Sequence, residues 1–161
     1  AKIWPAERFA ELAQRLTADD GVLPGGRVAV FGGADERPLA MGVLDAIPAD
    51  QCIDLVGRPD LLTVSACLGR CALYVGNDSG LMHVAAASGI PTLGLFGPSP
   101  ESVYAPWGPL TAVVRTEKSD AEIFPPAFDH RNSGTLMEGL SVDAAEEAAR
   151  TLWSRTLEAA V

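Results

Sequence analysis

The residues best suited to chemistry lie where an apolar run ends in the sequence GNDSG and a helix-like segment begins. A helix start offers unpaired N–H groups and the positive end of the helix dipole. The hydroxyl of Ser79 adds a donor, and the small Gly80 lets an anion approach the amides of Ser79, Gly80 and Leu81. This pattern predicts a phosphate-binding turn.

Two flanking residues extend that candidate turn. Asp78 precedes the serine, and His83 lies three or four residues into the helix, on a neighbouring face from which its ring could reach the same anion. A plain capped helix explains the same residues, with Asp78 or Ser79 as the N-cap and His83 at the surface. Spacing alone leaves both interpretations open.

A second glycine turn, with the sequence GGADE, also follows an apolar run. Its acidic residues, Asp35 and Glu36, are of the type that binds ribose hydroxyls at the end of a strand. They could equally cap the following helix. The chain has no G-x-G-x-x-G or Walker motif, which argues against an ordinary dinucleotide or P-loop site.

The remaining polar candidates give weaker signals. Lys2 on its own predicts a solvated terminal side chain, and His130 and Arg131 fall in a segment that reads as a surface loop. No serine, histidine and aspartate can be combined into a nucleophilic triad. The three cysteines lack metal-ligand spacing and are expected to be buried small hydrophobes in a reducing compartment: Cys52, Cys67 and Cys71.

Apolar strands and amphipathic helices alternate along the whole chain, which predicts an α/β fold with a doubly wound parallel sheet. Strands are expected at residues 27–33, 52–57, 72–78, 91–97 and 111–116. Helices are expected at residues 5–18, 34–47, 60–70, 79–88 and 142–160, and residues 117–140 are expected to be irregular. Both glycine turns then lie at the carboxyl ends of strands, where such sheets bind ligands.

Composition limits the class of protein. The chain has 161 residues, of which 48% are hydrophobic, and its net charge is −9. This composition predicts a single globular domain, residues 1–161, without a transmembrane helix. The negative charge argues against a nucleic acid as partner.

Several stretches of the sequence together resemble a known family. The stretches KIWPAERFAELAQRL, VAVFGGADE, VGNDSGLMHVAAASGIPTLGLFGPSPE, YAPWGP and TLMEGLSVDAAEEAARTL are similar, in this order, to the carboxyl-terminal half of the glycosyltransferase family 9 heptosyltransferases. The resemblance covers nearly the whole chain. It implies a GT-B architecture in which this chain is the Rossmann-like domain that binds the nucleotide sugar. The first strand of that domain would precede Ala1, and its loss would leave one sheet element unpaired.

The resemblance also implies roles for the residues of the first turn. Ser79 and the amides of Gly80 and Leu81 would hold the diphosphate of an ADP-heptose type donor. Asp78 would bind sugar hydroxyls or orient the loop, and His83 would lie near the phosphate or the sugar.

Three further residues gain roles from the same resemblance. Lys2 matches the family's lysine before Trp-Pro and would stabilise the leaving diphosphate without a metal or a cofactor. Asp35 or Glu36 would hold the ribose, with a register uncertain by one residue. The general base, a carboxylate, would come from the amino-terminal acceptor domain, so this chain alone would bind without catalysing.

The implied reaction is an inverting transfer of heptose to a lipid-anchored saccharide of the lipopolysaccharide core. The implied location is the cytoplasm, with the full enzyme peripheral at the inner face of the inner membrane as an option. Two alternatives stay open: a GT-B enzyme that uses a UDP- or GDP-sugar, and a non-catalytic relative that binds a nucleotide or a protein partner.

Overall fold

The computed structural model describes residues 2–58, 60–116 and 135–159. They belong to two compact units: a larger one formed by Ala1–Pro5 and Leu68–Val161, and a smaller one formed by Ala6–Cys67. The prediction of a single domain stays a prediction. The segment that carries His130 and Arg131 lies outside the described residues, so their predicted surface position does too.

The smaller unit consists of a pair of parallel strands with helices around it. Its elements are α1 (Ala6–Thr17), β1 (Val28–Gly32), a 3-10 turn (Ala34–Glu36), α2 (Arg37–Leu44) and β2 (Cys52–Val56), followed by α3 (Leu61–Leu68) at its boundary. A Cβ on Gly42 would lie 2.7 Å from the Cβ of Ala6, so glycine allows α1 and α2 to approach closely. Asp60 caps α3 as its sequence predicts, because its Oδ1 accepts the N–H groups of Leu62 and Thr63.

The larger unit consists of three parallel strands in the order β3-β4-β5. Its elements are β3 (Tyr74–Asn77), α4 (Gly80–Ala87), β4 (Thr92–Phe96), α5 (Glu101–Tyr104), β5 (Thr111–Arg115) and α6 (Val142–Ala159). Every residue of the central strand β4 is buried, as its uninterrupted apolar sequence predicts. Helix α4 packs on β3 and β4, and helix α6 packs on β4 and β5.

Glycines set the geometry of α4 at two places. Gly89, directly after the helix, has a φ of +78°, the left-handed conformation that ends helices and favours glycine. At Gly94 in β4, an added Cβ would lie 2.7 Å from the Sδ of Met82, so glycine lets α4 pack tightly on the sheet. Glycine at these two positions thus ends α4 and allows it to lie close to β4.

The parallel α/β class is confirmed, but the prediction of one sheet is wrong for the described residues. Strands β1 and β2 form one sheet, and β3, β4 and β5 form another. An apolar run marks a buried strand without naming its hydrogen-bond partner, so the sequence could locate the strands but not divide them. None of the helices in the described ranges is both long and apolar enough to span a membrane.

Candidate functional site

The candidate site is centred on an ion pair between two residues far apart in sequence. The ammonium Nζ of Lys2 lies 2.7 Å from Oδ2 of Asp78. Asp78 directly follows Asn77, the last residue of β3. The lysine side chain is 50% exposed, whereas that of Asp78 is only 8% exposed. The carboxylate is therefore fixed in the protein, and the ammonium presents its other N–H groups to solvent.

Trp4 anchors the segment that carries Lys2. Its side chain is fully buried, and its indole Nε1 donates to the carbonyl of Leu140 at 2.9 Å. Its backbone N–H donates to Oδ1 of Asn77, also at 2.9 Å, so the segment is tied directly to the end of β3. A third hydrogen bond holds the neighbouring residue, since the hydroxyl of Thr135 donates to the carbonyl of Ile3. Lys2 is therefore held beside Asp78 instead of trailing in solvent.

The start of α4 lies immediately beyond this ion pair. Ser79 is the N-cap residue by its extended backbone (φ −154°, ψ 168°), yet its hydroxyl makes no capping hydrogen bond. Ser79 and Gly80 are exposed, and a Cβ on Gly80 would meet no atom within 4 Å. The backbone N–H of Asp78 donates to the carbonyl of Leu95, which fixes the turn to β4. An uncommitted hydroxyl and open space thus flank the first amides of the helix, including that of Leu81.

His83 lies in the first turn of α4 and is exposed. Residues three and four apart share a helix face, so its imidazole is on the side of Ser79 and Gly80. The capped-helix interpretation is only partly met, because Ser79 has the cap backbone but its side chain does not cap. The larger unit therefore brings together Lys2, Asp78, Ser79, Gly80, Leu81 and His83.

The other two predicted site residues belong to the smaller unit. Oε2 of Glu36 accepts the N–H of Gly33 at 2.6 Å, so this carboxylate caps the 3-10 turn. Asp35 is exposed at the same turn, with its Oδ1 2.6 Å from where a Cβ on Gly33 would lie. The capping alternative thus holds for Glu36, and a ribose-binding role for either residue stays a prediction.

A third carboxylate of the smaller unit is shaped by its neighbours. The N–H of Val56 and the guanidinium of Arg37 both donate to Asp54, and these bonds, with the charges of Arg37 and Arg58, hold its pKa below the usual range. Arg37 also donates to the carbonyl of Val56. This group ties α2 to β2 and is structural in character.

Sequence reasoning missed three contributors to the site. It did not predict that Trp4 anchors the segment that carries Lys2, or that Oδ1 of Asn77 accepts the Trp4 backbone N–H. Nor did it predict that the centroid of the Tyr104 ring lies 5.4 Å from the Nζ of Lys2. The available signal was the position of Asn77 at a strand end, where side chains commonly bond to backbone groups. In the described parts of the chain, no group of three or more His, Cys, Asp or Glu side chains is placed to hold a metal.

The fold and this cluster define a class: a parallel α/β protein whose candidate site lies at the carboxyl end of its strands. A family model described as glycosyltransferase family 9 (heptosyltransferase) matches residues 1–124. The chain belongs to this family.

Curated relatives support the same assignment. The chain is 33% identical over 118 residues to lipooligosaccharide heptosyltransferase 2 of Haemophilus influenzae, with 71% of this chain and 33% of the relative covered. It is 36% identical over 118 residues to lipopolysaccharide heptosyltransferase 2 of Escherichia coli, with 71% of this chain and 32% of the relative covered. The chain thus spans about a third of the length of these relatives.

Solved structures share the fold. The E. coli ADP-heptose lps heptosyltransferase II aligns with a TM-score of 0.77 and 27% identity, covering 98% of this chain and 44% of that one. A glycosyltransferase family 9 protein from Veillonella parvula aligns with a TM-score of 0.75 and 27% identity, covering 94% of this chain and 42% of that one.

Proposed function

We propose that this chain is the donor-binding half of a GT-B heptosyltransferase that transfers heptose from an ADP-sugar to a saccharide of the lipopolysaccharide core. One observation carries the proposal: the Lys2 ammonium and the open start of α4 lie side by side at the end of β3. Relatives named heptosyltransferase support the reaction, and a structural neighbour named for ADP-heptose supports the donor.

The start of α4 would bind the diphosphate. The amides of Gly80 and Leu81 are among the first four of the helix and have no partner within it. The uncommitted hydroxyl of Ser79 would complete the set of donors, and the open space beside Gly80 would admit a phosphate oxygen. His83, on the same side of the helix, would contact the phosphate or the sugar.

Lys2 would stabilise the leaving group. Its ammonium has three N–H donors, and Asp78 occupies only one side of it. Asp78 would therefore orient the lysine while the remaining donors contact the diphosphate. As the glycosidic bond breaks, negative charge grows on the diphosphate, and a cation held there beforehand lowers the barrier.

The rest of the enzyme would lie outside this chain. The acceptor domain would supply the carboxylate that deprotonates the acceptor hydroxyl, and the oxygen would attack the anomeric carbon with inversion as the diphosphate leaves. The acceptor would be lipid-anchored, and the full enzyme would be cytoplasmic, with a peripheral position at the inner face of the inner membrane as an option. Asp35 or Glu36 would hold the ribose; the Gly33 N–H occupies only Oε2 of Glu36.

Thermal unfolding of the chain with ADP, UDP or GDP tests the donor assignment. At about 100 times its dissociation constant, a ligand adds about 2.7 kcal/mol of stability, or roughly 5–11 °C for a protein of this size. We expect this shift with ADP only. The double variant Ser79→Ala/His83→Ala should lose it, whereas the control Ser154→Ala, an exposed serine of α6, should keep it.

Three results would count against the proposal. A shift with UDP or GDP in place of ADP would point to a different nucleotide sugar. Equal melting-temperature shifts in the double variant and in the control would mean that the nucleotide does not bind at the start of α4. The absence of any shift would indicate that this turn is only a capped helix.

A further inference from the structure

We infer that Tyr104 is a positioning residue for Lys2, which rests on the proposed diphosphate site. The Nζ of Lys2 lies 5.4 Å from the centroid of the Tyr104 ring, within the range of a cation–π contact. Asp78 approaches the same ammonium at 2.7 Å. The ammonium therefore has one charged and one uncharged partner, and both belong to the larger unit.

The two partners would respond differently to a bound diphosphate. The carboxylate of Asp78 repels an incoming phosphate and uses one of the ammonium's N–H donors. The face of an aromatic ring attracts a cation through its quadrupole, carries no net charge and accepts no conventional hydrogen bond. Tyr104 can thus hold Lys2 in place without using a donor, so that the N–H groups not bonded to Asp78 stay available to the diphosphate.

Several contacts hold the short helix that carries Tyr104. Tyr104 is the last residue of α5, and its N–H donates to the carbonyl of Pro100 at 3.1 Å. The carboxylate of Glu101, at the start of α5, pairs with Arg115 Nη1 at 2.7 Å. Nη2 of the same arginine donates to the carbonyl of Gly97 at 3.2 Å. Arg115 is the last residue of β5, so this short helix is tied to the sheet.

Exposure supports a role beyond packing. Tyr104 is 47% exposed and Lys2 is 50% exposed, so the contact contributes little to the core and lies where a ligand can reach it. A residue that acted only through the core would be buried, as Trp4 is.

A double-mutant cycle on ADP affinity tests the inference, measured by calorimetric titration of the whole chain. Tyr104→Leu removes the ring and should weaken ADP binding roughly two- to five-fold, the range of an exposed cation–π contact. Tyr104→Phe keeps the ring face and should restore the affinity. In the Lys2→Met background, Tyr104→Leu should have no further effect, because the cation it positions is gone.

Two results of the cycle would overturn the inference. One is an unchanged affinity in Tyr104→Leu. The other is an equal loss with and without Lys2, which would show that the ring acts through general structure. If Lys2→Met weakens ADP binding while the cycle fails, the proposed function stands and only the inference on Tyr104 falls. If ADP does not bind to the wild type at all, both fall.

A spectroscopic readout tests the contact without any nucleotide. The sequence contains two lysines, Lys2 and Lys118, so carbon-13 dimethylation gives few lysine signals, which Lys2→Met and Lys118→Arg assign. The methyl groups of Lys2 should show an upfield ring-current shift in the wild type and in Tyr104→Phe. The shift should disappear in Tyr104→Leu; its absence from the wild type would overturn the inference.

Discussion

Gly80→Ala should separate ligand binding from folding most cleanly, because it should affect the two in opposite directions. The backbone of Gly80 does not have a positive φ, and a Cβ there would meet no atom within 4 Å. Alanine is a better helix former than glycine by up to about 1 kcal/mol. The variant should therefore be as stable as the wild type, or melt up to about 4 °C higher.

The same methyl group would occupy the space proposed for a phosphate oxygen. A hydrogen bond to a charged group contributes about 1.5–3 kcal/mol, so the loss of one amide contact should weaken ADP binding by roughly 10- to 150-fold. Calorimetric titration with ADP, alongside urea unfolding of the same samples, measures both effects. The reasoning is refuted if Gly80→Ala binds ADP as tightly as the wild type.

Gly42→Ala provides the matched control for this experiment. A Cβ at Gly42 would lie 2.7 Å from the Cβ of Ala6, and both residues belong to the smaller unit, whereas α4 belongs to the larger one. Overpacking of this kind costs about 1–3 kcal/mol of stability. The control should therefore lose stability, while the folded fraction should bind ADP as the wild type does.

Three further changes test the account of the fold. Trp4→Phe removes the buried hydrogen bond from the indole Nε1 to the Leu140 carbonyl and should cost about 1–3 kcal/mol in urea unfolding; an unchanged midpoint would contradict the anchor role. Asp54 has a lowered pKa in the folded state, so it stabilises the fold above the unfolded pKa of about 3.9 and loses that contribution as the pH falls. The stability difference between the wild type and Asp54→Asn should thus shrink from pH 7 to pH 3, and a constant difference would count against it. Glu36→Ala leaves the Gly33 N–H without its acceptor and should lower the melting temperature without ADP, whereas no change would argue against the cap.

Much of the local structure could be predicted from the sequence because its signals are local. Asp60 begins α3 with the side-chain bonds expected of an N-cap, and Gly89 ends α4 in the expected left-handed conformation. The five apolar runs matched the five strands of the described residues. The four-residue helix α5 was not predicted, since so short an element has no periodicity to detect.

The missed features depend on contacts between distant parts of the chain. The division into two sheets depends on which strands pair, which an apolar run does not encode. The approach of Lys2 to Asp78, 76 residues away, could be expected only from the family resemblance. Glu36 shows that local sequence can also be ambiguous. The same residue type at the same position fits both a ribose ligand and a cap, and the hydrogen bond to the Gly33 N–H shows that Glu36 is a cap.

The central claim is that the start of α4, together with Lys2, binds the diphosphate of the donor. A crystal structure of the chain with ADP tests it most directly. The account predicts diphosphate oxygens within hydrogen-bond distance of the Ser79 hydroxyl, the amides of Gly80 and Leu81, and the Lys2 ammonium. ADP bound elsewhere, with the start of α4 unoccupied and Lys2 still paired only with Asp78, would contradict it.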